Sequence, residues 1–86
     1  MLISATTVIK ARGGSAHVYF RCEVDAENME EVFHRLITDG AILVDRLETR
    51  IVGGHREIIG RSPVVIGLSG VVMLQPIDIE LKDAGA

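Results

Sequence analysis

The sequence predicts a two-layer α+β domain, in which an antiparallel sheet of about five to six strands carries one helix on one face in the order β-β-α-β-β-β. The chain reverses twice at a pair of glycines, Gly13-Gly14 and Gly53-Gly54, and one amphipathic segment separates the two reversals. Hydrophobic residues make up 48% of the chain and are mostly aliphatic, which favours strands. With 86 residues there is room for one core, assigned to residues 1–82, with a frayed tail at 83–86.

The first hairpin is predicted from residues 3–24, with Gly13 and Gly14 as a two-residue turn. This turn sets Ile9 opposite Val18 and Ala5 opposite Cys22, so that the apolar side chains share one face. The other face is polar, and it carries five residues of mixed charge: Lys10, His17, Tyr19, Arg21 and Glu23.

The only helix is predicted after Asp25, which is a suitable N-cap. Five apolar residues follow at helical spacing and form one stripe: Met29, Val32, Phe33, Leu36 and Ile37. Glu31 and Arg35 are one turn apart and are expected to pair. Gly40 is expected to end the helix as a left-handed cap.

The second hairpin is predicted from the strand at residues 41–52 and its return after Gly53-Gly54. A two-residue turn sets Val52 opposite His55 and Arg50 opposite Glu57, which is a favourable charge pair. A right-handed crossover through the helix would place the four strands of the two hairpins in the spatial order 2-1-3-4.

The C-terminal third is predicted to hold short strands. Pro63 is expected to interrupt the ladder, and a further hairpin is expected around Leu68-Ser69. The alternation of residues 77–82 predicts a last strand with one wet face.

The apolar run at residues 64–74 does not alternate, which indicates burial on both sides, and one helix does not cover both faces of a sheet. Either the later strands curl into a partial barrel or a second copy of the chain covers the run. We favour the second copy and expect a homodimer, because exposed apolar patches usually mark interfaces.

The stretch at residues 53–62 has the composition of a phosphate-binding loop but not its spacing. Five residues separate Gly54 from Gly60, whereas the loop has four, and Arg61 stands in place of its lysine. Pro63 follows where the motif needs a helix. We therefore expect a hairpin turn and no nucleotide cofactor.

Other catalytic or metal chemistry is not predicted. The single cysteine, Cys22, excludes an internal disulfide, and it is expected in the core beside Ala5. The three histidines lie on different elements without metal-type spacing, so no metal site is expected. Ser69 is expected in a tight turn, so that no catalytic set is apparent and the protein is predicted not to be an enzyme.

The charge and hydropathy of the chain argue against nucleic acid and membranes as partners. The net charge is −3, with +2 on residues 1–24 and −4 on residues 25–40, so nucleic acid is not the expected partner. The N-terminal residues lack the basic and apolar regions of a signal peptide, so none is expected, and the longest apolar run is shorter than a membrane span. We expect a cytoplasmic protein that does not bind membranes.

The leading functional hypothesis is a small non-enzymatic module that binds another protein, such as a phage or mobile-element inhibitor of a host defence complex. Its candidate contacts are the polar residues of the first hairpin: Lys10, His17, Tyr19, Arg21 and Glu23. A second candidate group follows the other hairpin: Arg50, Arg56 and Arg61. Two alternatives stay open, namely a ligand-binding or catalytic homo-oligomer with a pocket at the sheet face, and a single-stranded nucleic-acid binder.

Overall fold

The computed structural model describes residues 1–83, and residues 84–86 of the tail lie outside the described part. Within residues 1–83, six strands form a single sheet and one α-helix accompanies it, which confirms the α+β class. The elements are β1 (Leu2–Ala11), β2 (Gly14–Glu23), α1 (Met29–Asp39), β3 (Ala41–Val52), β4 (His55–Gly67), a 3-10 turn (Leu68–Gly70), β5 (Val71–Pro76) and β6 (Leu81–Asp83).

The strand order is β5-β1-β2-β3-β4-β6, so the predicted order 2-1-3-4 is wrong. After the helix, β3 joins the edge of β2 that does not pair with β1, and the β2–β3 pair is antiparallel. The sheet is also mixed rather than wholly antiparallel, because β6 runs parallel to β4. Of the predicted last strand only Leu81–Asp83 forms, and Asp83 therefore belongs to a strand.

The helix begins later than predicted. Its N-cap is Asn28 rather than Asp25, and the Asn28 side chain accepts a hydrogen bond from the Glu31 backbone N–H at 2.9 Å. Glu31 in turn accepts from the Glu27 backbone N–H at 2.9 Å and pairs with Arg35 as expected. Asn28 satisfies the first turn better because a glutamate follows it at the third helical position. Gly40 ends the helix with φ 76°, as predicted.

The first hairpin is shifted by two residues from the predicted register. The turn lies at Arg12 and Gly13, so that Ile9 pairs with Ala16 and Ala5 with Phe20. Arg12 has no positive φ, whereas Gly13 has φ 96°, which is the requirement of a turn with glycine at its third position. Because strand side chains alternate with a period of two, the shift leaves every side chain on its predicted face.

The second hairpin has the predicted register, with Val52 opposite His55 and Arg50 opposite Glu57. Both turn glycines have positive φ, as a tight two-residue turn needs. Pro63 does not interrupt the ladder: it lies opposite Asp45 inside β4. Beyond residue 58 no strand of the described residues pairs with the outer side of β4, and edge strands accept proline.

The predicted hairpin around Leu68-Ser69 is absent, because β5 pairs with β1 instead of β4. Only the 3-10 turn joins β4 to β5, and four Cα steps reach about 14 Å. In a flat sheet the two strands would lie about 19 Å apart, at about 4.8 Å per strand. The sheet is therefore strongly coiled, and the end of β4 approaches β1 across a small cavity lined by residues 7–9 and 64–67.

The core lies between the helix and the concave face of this sheet. It contains eleven buried residues: Ile3, Ala5, Phe20, Cys22, Val24, Val32, Leu36, Ile42, Val44, Ile66 and Leu74. The helix stripe is only partly buried, since Phe33 is 41% and Ile37 69% exposed. The apolar run at 64–74 is covered in part by its own fold, because Ile66 and Leu74 are buried while Val65 is exposed. In residues 1–83 no helix is long and apolar enough to cross a membrane.

Candidate functional site

The polar residues predicted on the first hairpin share one face of the sheet. Phe20 and Cys22 point into the core, so their neighbours Tyr19 and Arg21 lie on the opposite face. Cross-strand pairs place Tyr19 beside Thr6 on β1. His17 and Lys10 continue the same face toward the turn and are exposed, and Tyr19 is 57% exposed.

A cleft opens between the two hairpins because β2 and β3 pair over a short length only. The pairs are Arg21 with Leu47, Cys22 with Arg46, and Glu23 with Asp45. Toward the two hairpin turns the strands separate, and residues 14–20 of β2 have no strand partner on the β3 side among residues 1–83. The resulting cleft has a volume of about 600 Å³ and is open to solvent.

The cleft is lined by more basic than acidic side chains. Three strands contribute its charged and aromatic members: Tyr19, Phe20, Arg21, Arg46, Glu48 and Arg61. The charged side chains that line the cleft are thus three arginines and one glutamate, Glu48. The Glu48 carboxylate is turned toward Gly60, where its Oε2 lies 3.2 Å from the position of an added Cβ.

Two of these arginines lie over aromatic rings. The Arg21 guanidinium carbon is 5.8 Å from the centroid of Tyr19, and that of Arg46 is 5.4 Å from the centroid of Phe20. Both distances are within the range of a cation–π contact, which holds a guanidinium flat and restricts its motion. Neither arginine forms an ion pair within residues 1–83. The Nε atom of Arg21 is buried and has no hydrogen-bond partner there.

Arg61 is already paired. It donates to Glu23 at 2.7 Å and to Asp83 at 3.2 Å, and these hydrogen bonds raise the pKa of Arg61 above its ordinary value. Glu23, a predicted binding residue, is therefore engaged within the chain.

The second predicted group does not form one surface. Arg61 lies at the cleft, whereas Arg50 and Arg56 lie near the tip of the second hairpin. Arg50 approaches Glu57 at 3.9 Å, and Arg56 donates to the Thr49 hydroxyl at 3.2 Å.

Arg46 belongs to the group of arginines on the second hairpin, but the candidate sets from the sequence leave it out. Arg46 reaches the cleft because the pairing of β2 with β3 sets it opposite Cys22 and beside Phe20. That pairing spans the helix, and no local pattern reveals it.

Nothing near the cleft forms a catalytic set in the described part of the chain. Cys22 is fully buried, and desolvation raises the pKa of its thiol to about 11. No three potential metal ligands come together within residues 1–83. Comparison of the chain with protein-family models, with characterised proteins and with solved structures finds no match. Within residues 1–83 the edge of β2 at residues 14–20 has no β3 partner, and Arg21 and Arg46 beside it form no ion pair. Such a surface is suited to binding.

Proposed function

We propose that this protein is a non-enzymatic module that binds another protein by taking up an extended segment at the free edge of β2. The observation that carries the proposal is the short pairing of β2 with β3, which leaves residues 14–20 without a β3 partner in the described chain and Tyr19 and Phe20 at the cleft. An unpaired edge presents a row of backbone N–H and C=O groups that a foreign strand satisfies by strand addition.

The β2 edge is favoured over the other free edges because recognition side chains accompany it. The outer edges of β5 and of β4 beyond residue 58 are also unpaired within the described chain. The edge of β2 lies at the cleft and carries Tyr19 and Arg21, and both residue types are enriched at binding hot spots. Lys10 and His17 extend this surface toward the hairpin turn.

A small ligand is the second candidate, and the cleft volume favours it, since small-molecule sites range over roughly 300–1,000 Å³. Of the candidate residues on the first hairpin, Tyr19 and Arg21 line the cleft, whereas His17 and Glu23 do not. The open shape of the cleft also suits a chain segment better than an enclosed ligand.

The proposal also covers the cellular compartment of the protein, its action as an inhibitor and its self-association. We place it in the cytoplasm, which the single buried Cys22 thiol supports. An inhibitor of a host complex would act through this surface by sequestering the segment that its target needs. A homodimer would use a different surface, because the exposed Leu43 and Val65 pair with each other away from the cleft.

The test is selection of binders from a random twelve-residue peptide library with the full chain, followed by NMR mapping of amide shifts and hydrogen exchange. Selected peptides are expected to shift and protect amides of residues 14–20. Tyr19→Ala should weaken their binding at least about tenfold, or about 1.4 kcal/mol. Phe33→Ala is the matched control, because Phe33 is an exposed aromatic residue on the helix, and it should leave binding unchanged. Peptides that map to the helix or to β5 would contradict the proposal.

A further inference from the structure

We infer that the segment bound at β2 carries two adjacent acidic residues, one for Arg21 and one for Arg46. This inference rests on the proposed uptake of a strand at β2 and names the chemistry of that strand. The guanidinium groups of Arg21 and Arg46 line the cleft and have no carboxylate partner in residues 1–83.

Arg21 is prepared for an anion. Its Nε is shielded from solvent and makes no hydrogen bond in the described chain, so the terminal nitrogens are the donors that a ligand meets. Its stacking on Tyr19 fixes the plane of the guanidinium. A carboxylate bound to the two terminal nitrogens of Arg21 would match the fork geometry that arginine favours.

Arg46 offers the same chemistry on the other side of the sheet. It lies opposite Cys22, whose side chain is in the core, and its guanidinium covers the Phe20 ring. Arg21 lies on the opposite face, because neighbouring residues of a strand alternate. The two cations therefore flank the point where β2 and β3 separate, one from each face.

Other arginines do not compete for this role. Arg35, Arg50 and Arg61 have carboxylate partners within the chain. Arg12 lies at the first hairpin turn, and Arg56 bonds to Thr49 near the second. The free positive charge within the cleft is thus confined to Arg21 and Arg46.

The spacing of the acidic residues follows from the placement of the cations. A strand that enters the gap between β2 and β3 sends successive side chains to opposite faces of the sheet. Residues i and i+1 of the strand therefore meet Arg21 and Arg46 together, whereas residues i and i+2 meet only one face. The structure assigns a preference for adjacent carboxylates.

The experiment uses three fluorescein-labelled ten-residue peptides of threonine and valine, measured by fluorescence polarisation against the full chain. One carries two adjacent glutamates, the second has the same composition with its glutamates separated by one residue, and the third carries two adjacent glutamines. The adjacent-glutamate peptide is expected to bind at least about tenfold more tightly than either of the others.

Charge-removing variants identify the side chains responsible. Arg21→Gln and Arg46→Gln should each lower the affinity for the adjacent-glutamate peptide at least about tenfold. Arg50→Gln removes the same charge from an exposed arginine outside the cleft and is expected to change it less than about twofold. Circular dichroism of each variant checks that the fold is kept.

The remaining outcomes separate this inference from the proposed function. Equal binding of the glutamate and glutamine peptides, with shifts at residues 14–20, overturns the acidic preference and leaves the uptake of a strand standing. Equal binding of both glutamate peptides overturns the assignment of one cation to each face. Tighter binding of free glutamate, inorganic phosphate or a ten-nucleotide dT strand than of any peptide overturns both. Absence of binding by all probes at millimolar concentration also counts against both.

Discussion

Arg61 on β4 donates a hydrogen bond from Nη1 to Oε1 of Glu23 on β2 at 2.7 Å, although the two residues are 38 positions apart in the chain. The other terminal nitrogen of Arg61 donates to Asp83 on β6 at 3.2 Å. One guanidinium thus joins both hairpins and the last strand beside the three pairs that connect β2 to β3. Arg61 and Glu23 thus connect β4 to β2 beside the cleft, whereas Arg21 and Arg46 form no ion pair within residues 1–83.

Arg61→Ala is expected to lower the free energy of unfolding by about 1 kcal/mol or less, because both side chains of the pair are partly exposed and screened. Raising the salt concentration to about 1 M should reduce this loss. Urea denaturation measures both effects. Arg50→Ala is the matched control, since its pair with Glu57 is long, and its loss should be the smaller of the two. Equal losses would show that the bridge between the hairpins contributes nothing specific.

Neighbouring residues of the helix stripe are expected to differ sharply in their contribution to stability. Leu36 is 1% and Ile37 69% exposed. Leu36→Ala should therefore cost about 2–5 kcal/mol, whereas Ile37→Ala should stay within about 0.5 kcal/mol. Thermal and urea unfolding of both variants test this. A large loss for Ile37→Ala that persists at low protein concentration would mean that the helix is rotated, and a loss that shrinks with dilution would mean that Ile37 lies at an interface between copies.

The faces of the strands were predictable, whereas the register of the first hairpin was not. Alternation of apolar and polar residues assigns each side chain to a face, and this assignment survives any shift by two residues. The register depends on which of the residues 12–14 take the turn positions, and two consecutive glycines allow more than one answer. At the second hairpin the glycines occupy both turn positions, and the register was confirmed.

The conformation of Gly13 gives a test of this turn. Gly13 has φ 96°, so Gly13→Ala forces an L-residue into the left-handed region and should cost about 1 kcal/mol. Gly67 has an extended φ of −84° and open space at the position of a Cβ, so Gly67→Ala should be neutral or stabilise by about 0.4–1 kcal/mol. Chemical denaturation of the two variants side by side gives the comparison. The same sign of change for both would contradict the assigned turn.

The cleft was not predictable from local pattern, although three of the residues that line it, Tyr19, Arg21 and Arg61, were among the candidates from the sequence. Tyr19 and Arg21 stand out because their face of β2 is polar, and their placement needs only the first hairpin. The gap exists because β2 and β3 pair at three positions only, and these positions are joined through a loop and a helix. Their pairing is set by how Val32 and Leu36 pack on the sheet, which is a tertiary property. Arg46 enters the site by that route alone.

Cys22 is expected to make stability depend on pH on the alkaline side. Burial raises the pKa of its thiol from about 9 to about 11, so the folded state favours the neutral thiol more than the unfolded state does. Its contribution to stability is therefore fully present below about pH 9 and is lost as the pH rises toward about 11. The stability difference between the wild-type protein and Cys22→Ala should shrink by up to about 2–3 kcal/mol over this range. Urea denaturation at pH 7, 9 and 10.5 measures the difference for both proteins. Because other ionisable groups titrate equally in both, a constant difference would mean that water reaches the thiol and that this part of the core opens without global unfolding.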